Sequence, residues 1–126
     1  IQIRLVGSEM CIRDRNSLAY ASKDSYPVTK FHSLVVPKRC IKNYFQLNDK
    51  EILACDDLVK KLQQKISSED STVKGFNVGT NSGKVAGQSI FHCHIHVIPR
   101  RVGDVENPQG GVRSVIPSKQ HYIRKK

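Results

Sequence analysis

Tryptophan is absent, methionine occurs once, and aromatic residues make up only 6% of the chain. The four Phe and four Tyr do not interleave with the basic clusters. That leaves few stacking platforms for single-stranded nucleic acid, so nucleic acid is not the expected partner despite a net charge of +10. No apolar run approaches the length of a membrane span, and no apolar stretch follows a basic start. The four cysteines, Cys11, Cys40, Cys55 and Cys93, form no C-x-x-C pair, so zinc-finger spacing is missing. Cys55 and Cys93 fall at apolar positions and are expected to be buried, reduced thiols. These features together point to a cytosolic protein.

What is present is one domain's worth of chain, 38% apolar over 126 residues, with a surface that attracts anions. The first residue is Ile1, so the chain is expected to be a fragment. Leu5 to Arg15 resembles a translated sequencing-adapter sequence, and residues 1–15 are therefore expected to be non-native. Residues 16–122 form the expected domain, followed by a basic tail over 123–126.

Patterning predicts short strands over residues 17–20 and 31–36, the second stopped by Pro37. Asn48, with Glu51 three residues on, predicts a capped helix ending near Ser67 and Ser68. Its apolar stripe reads Ile52, Cys55, Val59, Leu62 and Ile66, widened by Leu53 and Leu58. Further strands are expected over residues 72–78 and 88–98, the latter ended by Pro99, and one more over 112–116. The sum is an α+β domain. It has a mostly antiparallel sheet of about five strands with one main helix packed on one face.

Residues 90–98 carry three of the five histidines at every second position. In a strand His92, His94 and His96 would share one face, with Phe91, Cys93, Ile95 and Val97 on the core side. Three buried imidazoles need three sets of partners, so an ordinary packing role is an expensive explanation. A shared metal fits poorly, because a straight strand would hold His92 and His96 roughly 13 Å apart. Nucleophilic chemistry fits better. A neutral imidazole attacks phosphorus well if one nitrogen is free and the other holds its proton toward a fixed acceptor. Upstream, Gly75, Gly79, Gly83 and Gly87 offer backbone N–H groups to a phosphate, although Gly79-x-x-x-Gly83-Lys84-Val85 is not a Walker A motif.

The run Asn81-x-Gly83-x-x-x-Gly87-Gln88-Ser89-x-x-His92-x-His94-x-His96-Val97-Ile98 resembles the signature of the histidine-triad (HIT) superfamily. Asp24-x-Tyr26-Pro27-Val28-Thr29 and His32-x-Leu34-Val35-Val36-Pro37-Lys38-Arg39 resemble its N-terminal block. Pro99-Arg100-Arg101-x-Gly103-Asp104 resembles its dinucleoside polyphosphate hydrolase branch, and residues 110–117 resemble the tail of microbial members.

The resemblance implies a nucleotide hydrolase or nucleotidyl transferase in which His94 attacks the α-phosphate and forms a nucleotidyl-histidine. It implies that His92 and His96 orient His94 and touch phosphate oxygens. Gln88, Ser89 and Asn81 would hydrogen-bond the phosphate or leaving group beside Gly87, and Asp24 would take the ribose hydroxyls. It also implies a homodimer formed by extending the sheet and no required metal cofactor. Some relatives carry a structural zinc, held in part by a histidine that follows Pro-Lys-Arg; here Cys40 stands there, so that zinc is expected to be missing. Many relatives have Pro-Gly where this chain has Lys30-Phe31. The alternative is a catalytically weak nucleotide-binding or regulatory module using the same pocket. Base preference, phosphate-chain length, and hydrolase against phosphoramidase activity are not legible in the sequence.

Overall fold

The computed structural model describes residues 12–125. Cys11 and most of the opening segment lie outside them. Of that segment, Ile12–Arg15 forms β1, which pairs antiparallel with β2, Ala19–Lys23. The remaining elements are β3 (Ser33–Pro37), α1 (Asp49–Glu69), β4 (Val73–Gly79) and β5 (Ile95–Arg101). The strands form one antiparallel sheet of five in the order β1-β2-β3-β5-β4.

Helix α1 starts where a complete capping box allows it. The Asn48 side chain accepts from the Glu51 N–H at 2.9 Å, and the Glu51 carboxylate accepts from the Asn48 N–H at 2.9 Å. Its buried stripe is Glu51, Cys55, Leu58, Leu62 and Ile66. That differs from the expected stripe by a small rotation: Ile52 and Leu53 face solvent and Leu58 becomes central. The rotation places Glu51 in the core rim, where it is 3% exposed. Arg39 grips it with two hydrogen bonds of 2.9 and 2.8 Å. A buried carboxylate is tolerable only when paired and hydrogen-bonded in this way.

The helix covers one face of the sheet. Ala19, Ala21, Val35, Ile95 and Val97 meet Cys55, Leu58, Leu62 and Ile66 in a single core. The opposite face carries a smaller cluster of Leu34 and Val36 with Tyr20 and Ile90. Residues paired across neighbouring strands share a face, so Leu34 opposite His96 sets His96 on the side away from the helix.

Several boundaries differ from expectation for local reasons. The strand expected from residue 17 is β2 and begins at Ala19, because the Asn16 side chain accepts from the N–H groups of Leu18 and Ala19 and forms a turn. Phe31 has φ +74, a turn conformation, so β3 starts at Ser33 and runs through Pro37. Pro99 lies inside β5 rather than after it. Its carbonyl takes the Thr29 hydroxyl at 2.7 Å, so its ring nitrogen also points to the side where β3 has already ended, and no ladder bond is lost. Residues 112–116 are not a strand. Gly110 and Gly111 have φ +88 and +43, and the chain turns into a 3-10 helix over Gly111–Val115.

Arg39 and the Asn48 N–H hold the Glu51 carboxyl at about 2, well below its ordinary 4.5. The folded state therefore gains stability above pH 4.5 that drains away as pH falls toward 2. Urea melts across this range should show stability falling with acid in the wild type. The slope should be shallower in Glu51→Gln, with Asp70, also held at about 2, supplying part of what remains.

Candidate active site

The histidine strand starts later than expected. Residues 88–94 are irregular and β5 begins at Ile95, so of the three triad histidines only His96 sits in regular ladder geometry. Alternation still holds from Cys93 onward: Cys93, Ile95 and Val97 are buried, while His94, His96 and Ile98 are partly exposed on the other side. Phe91, expected on the core face, is 47% exposed because the chain is not yet a strand there.

Each imidazole has a partner that fixes its tautomer. His94 Nδ1 lies 2.8 Å from the His92 carbonyl oxygen. A carbonyl only accepts, so Nδ1 carries the proton and Nε2 keeps a free lone pair. His92 is buried, and its Nε2 donates to the Pro37 carbonyl at 2.9 Å. His92 Nδ1, then unprotonated, has no partner and stays buried.

His96 is governed by a fourth histidine that sequence reasoning gave no role. The Val28 N–H donates to His32 Nδ1 at 3.1 Å, so the His32 proton sits on Nε2. His32 Nε2 lies 2.9 Å from His96 Nδ1 and donates to it. The remaining proton of His96 is therefore on Nε2. Asp24 Oδ2 stands beside this pair, 3.3 Å from His32 Nε2 and 3.8 Å from His96 Nδ1. Asp24 Oδ1 is occupied by the Tyr26 N–H at 2.8 Å. The signal for His32 was available: it lies eight residues after Asp24, just ahead of the Leu-Val-Val run.

Burial pushes His96 down to about 4, helped by His94 and His32 and opposed by Asp24. Burial also lowers His32, against the pull of Asp24. A second proton on His96 Nδ1 would point at the Nε2–H of His32, which cannot move to the other nitrogen while Val28 donates there. Both rings are thus neutral near pH 7.

Asp24, His32 and His96 are also the one group among the described residues with three ligand atoms gathered within 4.8 Å. Their geometry suits a hydrogen bond better than an ion. The ring centroids are 5.1 Å apart, about the 2.9 Å nitrogen contact plus two ring radii, so the nitrogens face head-on. Lone pairs aimed at each other do not converge on a third point. Cys40, at the position where some relatives place a zinc-binding histidine, is exposed, and Cys55 and Cys93 are buried in the core. These residues do not fit a structural zinc centre.

The remaining expected site residues are placed unequally. Gln88 is 4% exposed and fully engaged: its amide donates to the carbonyls of Lys42 and Ile90, and its oxygen accepts the Gly83 N–H. It has no donor left for a phosphate, so it fastens the glycine loop instead. Ser89 is exposed just after it, and Gly87, at φ +96, turns the loop toward it. Asn81 is exposed and lines a cleft of about 570 Å³ onto which His32 and His96 open. Thr80, also in that lining, donates to the His94 carbonyl at 2.7 Å.

Histidine-selective NMR tests the tautomer chain. His96 should titrate near 4 rather than 6.5, as the Nε2–H form. His32→Phe removes the Nε2–H donor that favours neutral His96, so the His96 midpoint should rise. An unchanged midpoint would disconnect the two rings.

Comparison with known proteins agrees with this arrangement. The HIT domain family profile matches residues 10–103. A fission-yeast asymmetrical bis(5'-nucleosyl)-tetraphosphatase is 33% identical, with 79% of this chain and 53% of that protein aligned. The adenosine 5'-monophosphoramidase hnt1 of the same yeast is 33% identical over 75% of this chain and 68% of its own length. The chain thus spans little more than half of some curated relatives it matches. A hypothetical histidine triad nucleotide-binding protein of Sulfolobus tokodaii superposes with a TM-score of 0.69 at 32% identity, covering 77% of this chain and 64% of that one. With the family signature spanning the sheet and the histidines, the chain belongs to the HIT domain family.

Proposed function

We propose that this chain is a nucleotide hydrolase or nucleotidyl transferase. It acts on the α-phosphate of dinucleoside polyphosphates or related nucleotidyl conjugates, through a covalent intermediate on His94. The observation that carries this reading is the free Nε2 of His94, partly exposed, with Nδ1–H tied to the His92 carbonyl. That is the state a nucleophilic imidazole requires, reached without a separate base. The names of two relatives, a tetraphosphatase and a phosphoramidase, agree with hydrolysis at nucleotide phosphorus.

In the first half-reaction the His94 Nε2–P bond forms as the bond from phosphorus to the leaving atom breaks. The leaving atom keeps the electron pair and takes a proton from water. The positive charge that develops on the ring is stabilised by the His92 carbonyl at Nδ1–H. In the second, water attacks phosphorus and the P–N bond breaks. Nε2 recovers its lone pair, and a nucleoside monophosphate is released. His96 contributes its Nε2–H as a donor to a phosphate or leaving-group oxygen. Asn81, Ser89 and the amides around Gly87 hold the phosphate, and Asp24 positions the His32–His96 pair as well as facing the ribose. Gln88 contributes through the loop it fastens. No metal is required for these steps. A homodimer is consistent with β4, which ends the sheet and leaves a strand edge for a second copy.

Replacing His94 by Asn should lower turnover by roughly a thousandfold or more while leaving nucleotide affinity within a few-fold. Mass spectrometry of wild-type protein quenched during turnover should find a nucleotidyl adduct on His94. Nucleotide binding with neither adduct nor product would make the chain a binding module.

A further inference from the structure

The chain after β5 keeps its shape without entering the core. Val97 is the last residue of either apolar cluster. From Asn107 onward, polar groups close the segment on itself. Arg113 Nη2 donates to the Lys119 carbonyl at 2.8 Å, and the Gln120 amide donates to the Gln109 carbonyl at 3.3 Å. His121 Nε2 donates to the Asn107 carbonyl at 2.9 Å, and the Tyr122 N–H donates to Gln109 Oε1 at 3.4 Å. The aliphatic side chains are left outside: Val115 is 74% exposed, Ile116 57% and Ile123 93%. Single exposed aliphatic residues are ordinary on a surface, but several on one short self-held segment mark an interaction site.

The charge on that segment is of one sign. The chain has eleven Asp and Glu, yet none follows Glu106, whereas Arg113, Lys119, Arg124, Lys125 and Lys126 all do. Elsewhere several cations are spent on carboxylates, as Arg13 is on Glu69, Arg39 on Glu51 and Arg101 on Asp70. Among the described residues, no ion pair involves a cation of the stretch 107–125. Tyr122 is its one Phe, Tyr or Trp, and the guanidiniums of Arg113 and Arg124 stand 4.7 and 5.9 Å from the ring centre. A nucleic-acid base would find no other ring to stack on, so the apolar half of single-strand binding is missing. A bilayer containing acidic lipids offers both halves. Its headgroups attract the cations, and its acyl boundary takes aliphatic side chains. Lys and Arg stems and the Tyr ring suit that depth, each having an apolar body and a polar tip.

We propose that residues 107–125 form a docking face for an anionic phospholipid surface, with Lys119, Arg124 and Lys125 on the headgroups and Ile116 and Ile123 at the acyl boundary. Attachment of this kind is peripheral and reversible, because a few basic and aliphatic side chains supply all of it. It asks nothing of the chemistry at His94.

Co-sedimentation of the full chain with vesicles tests the docking face. Vesicles of phosphatidylcholine with about one-third phosphatidylserine should bind at least about tenfold more tightly than phosphatidylcholine alone. Raising NaCl from about 0.05 to about 0.5 M should release the protein. Lys119→Gln combined with Arg124→Gln should weaken binding to the anionic vesicles by about thirtyfold, or about fivefold per charge. Ile123→Ser should weaken it by about fivefold. Lys50→Gln combined with Lys65→Gln removes the same charge from α1 and should weaken it by about twofold at most. All five positions are exposed, so folding is not at stake. No sedimentation with the anionic vesicles at low salt, equal binding to both kinds of vesicle, or equal losses in the two double variants would overturn the proposal. Binding that ignores Ile123→Ser and is matched by a mixed-sequence oligonucleotide at the same salt would overturn it in favour of a general polyanion surface.

Discussion

The hydrogen bond from His94 Nδ1 to the carbonyl of His92 determines what the site can do. It joins two residues of one short segment, so it depends on the chain leaving extended geometry before Ile95. A regular strand would have sent the His92 carbonyl into the ladder. The irregular stretch over residues 88–94 frees it, and the fixed carbonyl turns an ordinary imidazole into one with its lone pair permanently outward. The rest of the fold serves that stretch. Gln88 fastens its start to the glycine loop and to Lys42, the Cys93 N–H is held by the Ile41 carbonyl, and Thr80 grips the His94 carbonyl.

A second constraint runs sideways through the site. One backbone N–H, that of Val28, decides where the proton sits on His32, and His32 then decides where it sits on His96. Two rings are set by a single main-chain donor in the loop before β3. The unusual backbone of Phe31 belongs to the same loop. Many relatives have Gly where this chain has Phe31, and the φ of +74 explains why glycine suits the position. Phe31 tolerates it with its ring packed against the core and the Lys30 ammonium 5.1 Å above it.

The helix, its cap, four strands of the antiparallel sheet and the histidine-bearing face were legible in the sequence, while the fifth strand is β1 rather than residues 112–116. Each rests on a local signal: an Asn-x-x-Glu box, a 3.6-residue period, an alternation of period two. What escaped prediction depends on partners distant in sequence. Glu51 enters the buried stripe only because Arg39 reaches it. Pro99 is tolerated inside a strand because the pairing of β3 with β5 reaches no further than Ser33 and Val97. The pattern placed all three histidines on one regular strand, whereas one is locked on Pro37, one on its own segment, and one on His32.

Gln88 binds three backbone groups, two in its own loop and one on the distant Lys42. A surface fastened at so many points is already in its working shape before anything binds. Little chain entropy remains to be lost on association, so affinity at this loop should reflect the contacts themselves rather than the cost of ordering. A ligand docking there would meet a rigid mould and would need no closing flap.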